Sequence, residues 1–76
     1  MMRSAPIRDA ATLGRLLVEL RAEAGLTQRQ LAEELDVTQR YIVELERGKP
    51  TKSVERLLRF ISHTGGRLYL ETPENV

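Results

Sequence analysis

Apolar residues recur every three or four positions over most of this 76-residue chain, the spacing of amphipathic helices. Leu13, Leu16, Leu17 and Leu20 predict a first helix over 10–24, opened by Asp9 as N-cap and stopped at Gly25. Leu31, Ala32 and Leu35 predict a second over 28–35. Thr27 caps it, and Gln30, three residues on, completes a capping box. Ile42 and Leu45 mark a third over 39–47, capped by Thr38. Val54, Leu57, Leu58 and Ile61 mark a fourth over 53–63, broken by Gly65-Gly66. The period then changes to two. Over 67–72, Leu68 and Leu70 fall on one face and Tyr69 on the other, which is a strand signature. Residues 1–8, with Pro6 among small residues, show no period and read as a flexible arm.

Between the second and third helices the chain must turn sharply. Asp36 is placed to take the left-handed conformation that such a turn needs, and Val37 is an apolar plug beside it. Ala32 is small where the third helix crosses the second. Gly14 costs its helix up to about 1 kcal/mol relative to Ala and reads as room for a neighbouring helix. The C-terminal strand poses a problem, because its backbone groups need a partner and no second strand is evident. The economical solution is the same strand from a symmetry mate, paired antiparallel across a two-fold axis. The expected organisation is an arm over 1–8, a helical domain over 9–64, and a dimerisation strand with a tail over 65–76.

Composition narrows the function classes. There is no Cys, so neither a disulfide framework nor a thiolate metal site, and His63 is the only histidine. No nucleophile–base pair and no Gly-rich phosphate loop is present, so neither an enzyme nor a cofactor is implied. Glu33 and Glu34 read as a solvated helix face. No apolar run approaches the ~18 residues of a membrane span and no signal-peptide core opens the chain, so a soluble cytoplasmic protein is expected. The net charge of +1 is weak support for nucleic-acid binding.

Stronger support comes from the side chains that the third helix leaves outside. Gln39, Arg40, Tyr41, Val43 and Glu44 lie away from Ile42 and Leu45 on its first two turns. Gln and Arg make two-point hydrogen bonds to adenine and guanine edges, and a recognition helix offers its N-terminal residues to the major groove. The run from Leu26 to Gly48 resembles the helix-turn-helix of the Cro/C1 (XRE) repressor family. The family pattern is present as Leu26-Thr27-Gln28, Leu31-Ala32, Val37-Thr38-Gln39, Ile42 and Glu46-Arg47-Gly48. Asp36 departs from it, standing where the family usually has Gly, at a strain of about 1 kcal/mol.

The resemblance implies a mainly α, lambda-repressor-like domain of four or five elements, with the C-terminal strand pairing across a homodimer. It implies a double-stranded, palindromic DNA operator as partner. Thr38, Gln39, Arg40, Val43 and Glu44 are then the base-reading candidates. Glu44 would accept from cytosine, discriminate against wrong sites, or orient Arg40 four residues away. Gln28 is matched to a family position that contacts phosphate and braces the residue here called Gln39. Tyr41, Arg47, Lys49 and Lys52 are further phosphate candidates, the basic ones reading otherwise as a solvated loop. Arg3 or Arg8 of the arm is an additional candidate for DNA contact. Arg21 and Glu46 match an ion pair between the first and third helices.

The fourth helix followed by a strand is similar to the HipB-type antitoxins, which repress their own operon and bind a kinase-fold toxin. Leu68, Tyr69 and Leu70 are then dimer contacts, and Phe60 is either a dimer anchor or edge of core. Two alternatives stay open: a stand-alone or phage-type regulator without a toxin, and a protein-interaction module that no longer binds DNA.

Overall fold

The computed structural model describes residues 2–73. Along the chain run β1 (Met2–Ile7), α1 (Ala10–Glu23), α2 (Gln28–Leu35), α3 (Gln39–Glu46), α4 (Lys52–His63) and β2 (Leu68–Pro73). Each helix begins at a side chain that accepts from its own first turn. Asp9, Thr27, Thr38 and Thr51 accept from the backbone N–H of Thr12, Gln30, Tyr41 and Val54. Thr27 and Gln30 form the reciprocal capping box, at 3.0 and 2.8 Å. Each helix also ends in the same way, with a 6→1 backbone bond closing over a left-handed residue. That residue is Gly25, Gly48 or Gly65 in three of them and Asp36, at φ 56°, in α2.

The core sits where α1 and α2 pack on α3, and each of the three helices contributes one fully buried apolar residue. These are Leu16, Ala32 and Ile42, 7%, 4% and 3% exposed. Small residues permit the crossing of α1 and α3. A Cβ built on Gly14 would lie 2.7 Å from the carbonyl oxygen of Glu46 and 2.8 Å from that of Leu45. The glycine is the contact point between α1 and the C-terminal end of α3.

Two sequence-based expectations change at the chain ends. The segment read as a flexible arm is a strand. β1 pairs antiparallel with β2, from Met2 opposite Pro73 to Ile7 opposite Leu68. β2 therefore finds its partner inside its own chain, and the premise that no second strand exists is wrong. Pro6 did not exclude a strand, because in a two-stranded sheet every strand is an edge that tolerates proline. The sheet lies against α1, with Ala5, Ile7, Leu70 and Thr72 turned inward. Arg3 of β1 reaches Glu19 of α1 at 2.5 Å. Thr72 is fully buried and donates to the Arg3 carbonyl at 3.4 Å. Of the tail, Pro73 ends β2, and residues 74–76 lie outside the described residues, as does Met1.

The stripe of α4 is only half used. Val54, Leu58 and Ile61 are half-buried, whereas Leu57 and Phe60 are exposed, and no residue of this helix is fully buried. Val37 is likewise more open than a plug, at 37% exposed.

Candidate nucleic-acid interface

The turn between α2 and α3 sets the geometry. Asp36 takes the left-handed conformation and donates its N–H to Glu33, while Val37 donates to the Ala32 carbonyl at 3.0 Å. The chain thus changes direction within three residues, and Thr38 caps α3. Its Oγ1 accepts from the Tyr41 N–H at 3.0 Å. The hydroxyl hydrogen stays free to donate outward, and the helix N-terminus beside it favours an anion.

Gln39 and Arg40 are exposed on the first turn of α3 and hydrogen-bond no protein group among the described residues. An open groove of about 290 Å³ runs beside Arg40. It gathers Thr38, Arg40, Tyr41 and Glu44 from α3 and its cap with Lys49 from the following loop. Arg47 and Lys49 are exposed just past α3, and Lys52 is the first residue of α4. The Arg40 guanidinium and the Lys49 ammonium thus line the same groove.

Three of the nominated residues are less free than expected. Tyr41 is half-buried, and its ring also lines the apolar cleft formed by Leu31, Leu35 and Ile42. Val43 and Glu44 are half-buried as well. Glu44 shares the groove with Arg40 but makes no ion pair with it, so the orienting contact considered for the pair is not made.

Behind the interface lies a bracing cluster. Arg21 of α1 donates to Glu46 of α3 through Nε, at 2.6 Å, and Nη2, at 3.0 Å, and gives Nη1 to the Leu26 carbonyl at 3.1 Å. The two side chains are only 18% and 7% exposed. Gln28, at the start of α2, donates its amide to Glu46 Oε1 at 2.9 Å. The Arg21 hydrogen bond holds the Glu46 carboxyl below its ordinary pKa against the opposing effect of burial, and the Gln28 bond adds to it. The same pair raises Arg21. Gln28 therefore braces Glu46 and not Gln39. The charged carboxylate is the stronger acceptor, and it outcompetes a neutral amide. This contact has no sequence signal of its own, although the sequence distinguishes Gln28 and Glu46 separately.

The dimer candidates scatter. Phe60 is 68% exposed, Tyr69 53% and Leu68 37%, whereas Leu70 turns inward on the sheet. No helix among the described residues is long and apolar enough to cross a membrane.

Comparison with known proteins agrees with this geometry. A family model described as helix-turn-helix matches residues 17–69, from the middle of α1 into β2. The chain is 34% identical over 67 residues to the uncharacterized HTH-type transcriptional regulator y4mF of Sinorhizobium fredii (strain NBRC 101917 / NGR234), a match spanning 88% of each chain. No solved structure matches.

Proposed function

Because this chain belongs to the XRE-type helix-turn-helix family of DNA-binding transcriptional regulators, we propose that it is a sequence-specific repressor that binds a palindromic operator as a homodimer. The observation that carries this reading is the groove at the start of α3, lined by Thr38, Arg40, Glu44 and Lys49, with Gln39 exposed on the same first turn of the helix. In this reading α3 enters the major groove. Gln39 and Arg40 read base edges, Thr38, Val43 and Glu44 assist them, and Gln28, Tyr41, Arg47, Lys49 and Lys52 hold phosphates. Two copies place their α3 helices one DNA turn, ~34 Å, apart.

The test is footprinting on the DNA upstream of the protein's own gene at low and moderate salt. A protected, two-fold symmetric site supports the reading. A folded protein that protects nothing would give the exposed face of α3 to a protein partner instead.

The finer reading is that the repressor is also the antitoxin of a type II pair and binds a kinase-like toxin. Its support is the resemblance of α4 plus the following strand to the HipB-type antitoxins. Co-expression with the product of a neighbouring kinase-like gene tests it. Recovery of a stable complex and relief of growth arrest are the expected results. A repressor with no such neighbour is a stand-alone regulator.

A further inference from the structure

Charge is spread unevenly along this chain. The segment 47–67 holds six of the twelve Lys and Arg residues and only one of the eleven Asp and Glu, Glu55. The net charge of +1 therefore conceals a basic segment attached to an acidic remainder. That segment is the loop after α3 and the whole of α4, with Arg67 at its end.

The helical period gathers the α4 share of this charge. Lys52, Arg56, Arg59 and His63 stand at i, i+4, i+7 and i+11, which places them in one narrow stripe. The half-buried Val54, Leu58 and Ile61 occupy the opposite side of the helix, and all four residues of the stripe are exposed. At the helical rise the stripe is about 16 Å long. Arg56, Arg59 and His63 line a surface groove of about 310 Å³ with Phe60, and no carboxylate lines it. Glu55 borders the stripe four residues before Arg59 but forms no ion pair with it. Lys52, Arg56 and Arg59 have no carboxylate within ion-pair distance among the described residues. His63 is tied through Nδ1 to the Arg59 carbonyl at 2.9 Å, which leaves Nε2 for an outside group.

α4 starts at the rim of the recognition groove. Thr51, its N-cap, lines that groove together with Arg40 and Lys49, and the stripe leads away from there. Protein–protein interfaces place apolar groups at the centre and charge at the rim. Here the order is inverted, with cations along the centre and the exposed Leu57 and Phe60 to one side. A row of unpaired cations suits the regularly spaced phosphates of a DNA backbone.

We propose that the outer stripe of α4 is a second phosphate-binding track, which holds the backbone of duplex DNA beyond the base pairs that α3 reads. Arg56 and Arg59 are its main contacts, and it continues the phosphate contacts assigned to Lys49 and Lys52. This rests on the DNA-binding reading above and enlarges its footprint.

The experiment is fluorescence anisotropy of the full chain across a salt series, with circular dichroism as the check of folding. The probes are two labelled duplexes, the DNA upstream of the protein's own gene and a mixed-sequence control. Each phosphate contact contributes about 0.9 to the slope of log affinity against log salt. Arg56→Ala combined with Arg59→Ala should reduce that slope by about 1.8 on both duplexes. Arg15→Ala, at an exposed position of α1 outside the basic segment, should leave it unchanged. A double variant with the wild-type slope overturns the track, gives the stripe to an acidic protein and leaves the DNA-binding reading standing. A slope that falls as much per charge for Arg15→Ala reports total charge alone and overturns the track as well. A wild type that binds neither duplex in a salt-dependent way overturns both readings.

Discussion

Gly14 shows how one missing methyl group sets the approach of two helices. By helix propensity alone, Gly14→Ala gains up to about 1 kcal/mol. Here the added Cβ would meet two carbonyl oxygens inside 3.0 Å, and it is backbone that would have to move. Overpacking of this kind costs about 1–3 kcal/mol. The expected outcome of Gly14→Ala is a net loss of stability, read as a lower midpoint in urea, together with weaker DNA binding because α3 is displaced. Asp36 presents the reverse case. It is strained at φ 56°, and no regular helix geometry requires a side chain there. Asp36→Gly should stabilise by up to about 1 kcal/mol, visible in the same titration.

The Arg21–Glu46 pair makes a prediction about acid. The folded-state pKa of Glu46 lies below its ordinary value of 4.5. Its contribution to stability is therefore fully present above the ordinary value and is lost as pH falls through the depressed one. Asp9 is depressed too, chiefly by the hydrogen bond from the Thr12 N–H, and acts in the same direction. Glu46→Gln should flatten the acid limb of a stability–pH profile while lowering the plateau. Arg21→Met alone should be more damaging than Arg21→Met with Glu46→Leu, because the single change leaves a half-buried carboxylate without its cation.

At the level of elements, α3 combines two functions that mutation can separate. Thr38 caps it, and Thr38→Ala removes that acceptor at a cost of about 1 kcal/mol to the fold. Arg40→Ala touches nothing in the fold. It should cost ~1–3 kcal/mol on the best operator and relax the preference at one base pair, measured by binding to a set of single-base operator variants. Equal loss on every sequence would make Arg40 a phosphate contact. Lys49→Ala should weaken all sequences alike and reduce the slope of log affinity against log salt.

The elements legible in the sequence were those with strong local signals. Leu13 to Leu20, the Thr27–Gln30 box and the pair of glycines after α4 each carry propensity, period and cap together, so local and tertiary preferences agree. β1 was not legible for the opposite reason. Met2–Ile7 has one β-branched residue, a proline and no alternation, and it is a strand only because β2 needs a partner. The unmatched backbone of β2 was the one available signal, and it pointed equally well to a symmetry mate. The Gln28–Glu46 contact was hidden likewise, because it joins residues eighteen positions apart through packing that neither helix encodes alone.

For the whole molecule, the pairing of the two chain ends changes what holds the domain together. β1 and β2 bring residues 2 and 73 into register and close the chain over α1, with Thr72 buried beneath. An isolated two-stranded ribbon is marginal in water, so the sheet depends on α1 as much as it covers it. Deleting residues 1–7 removes β1 and its Arg3–Glu19 tie, leaves the backbone of β2 unpaired, and opens the inner face that holds Leu70 and Thr72. The helix-turn-helix itself contains none of the deleted residues. The truncated chain should therefore keep helical circular dichroism at low temperature but melt at a clearly lower temperature. It should also associate non-specifically through the bare edge of β2, seen as polydisperse sedimentation. A chain that melts and sediments like the full-length protein would show that β1 only decorates the fold, as the reading of residues 1–8 as an arm suggests.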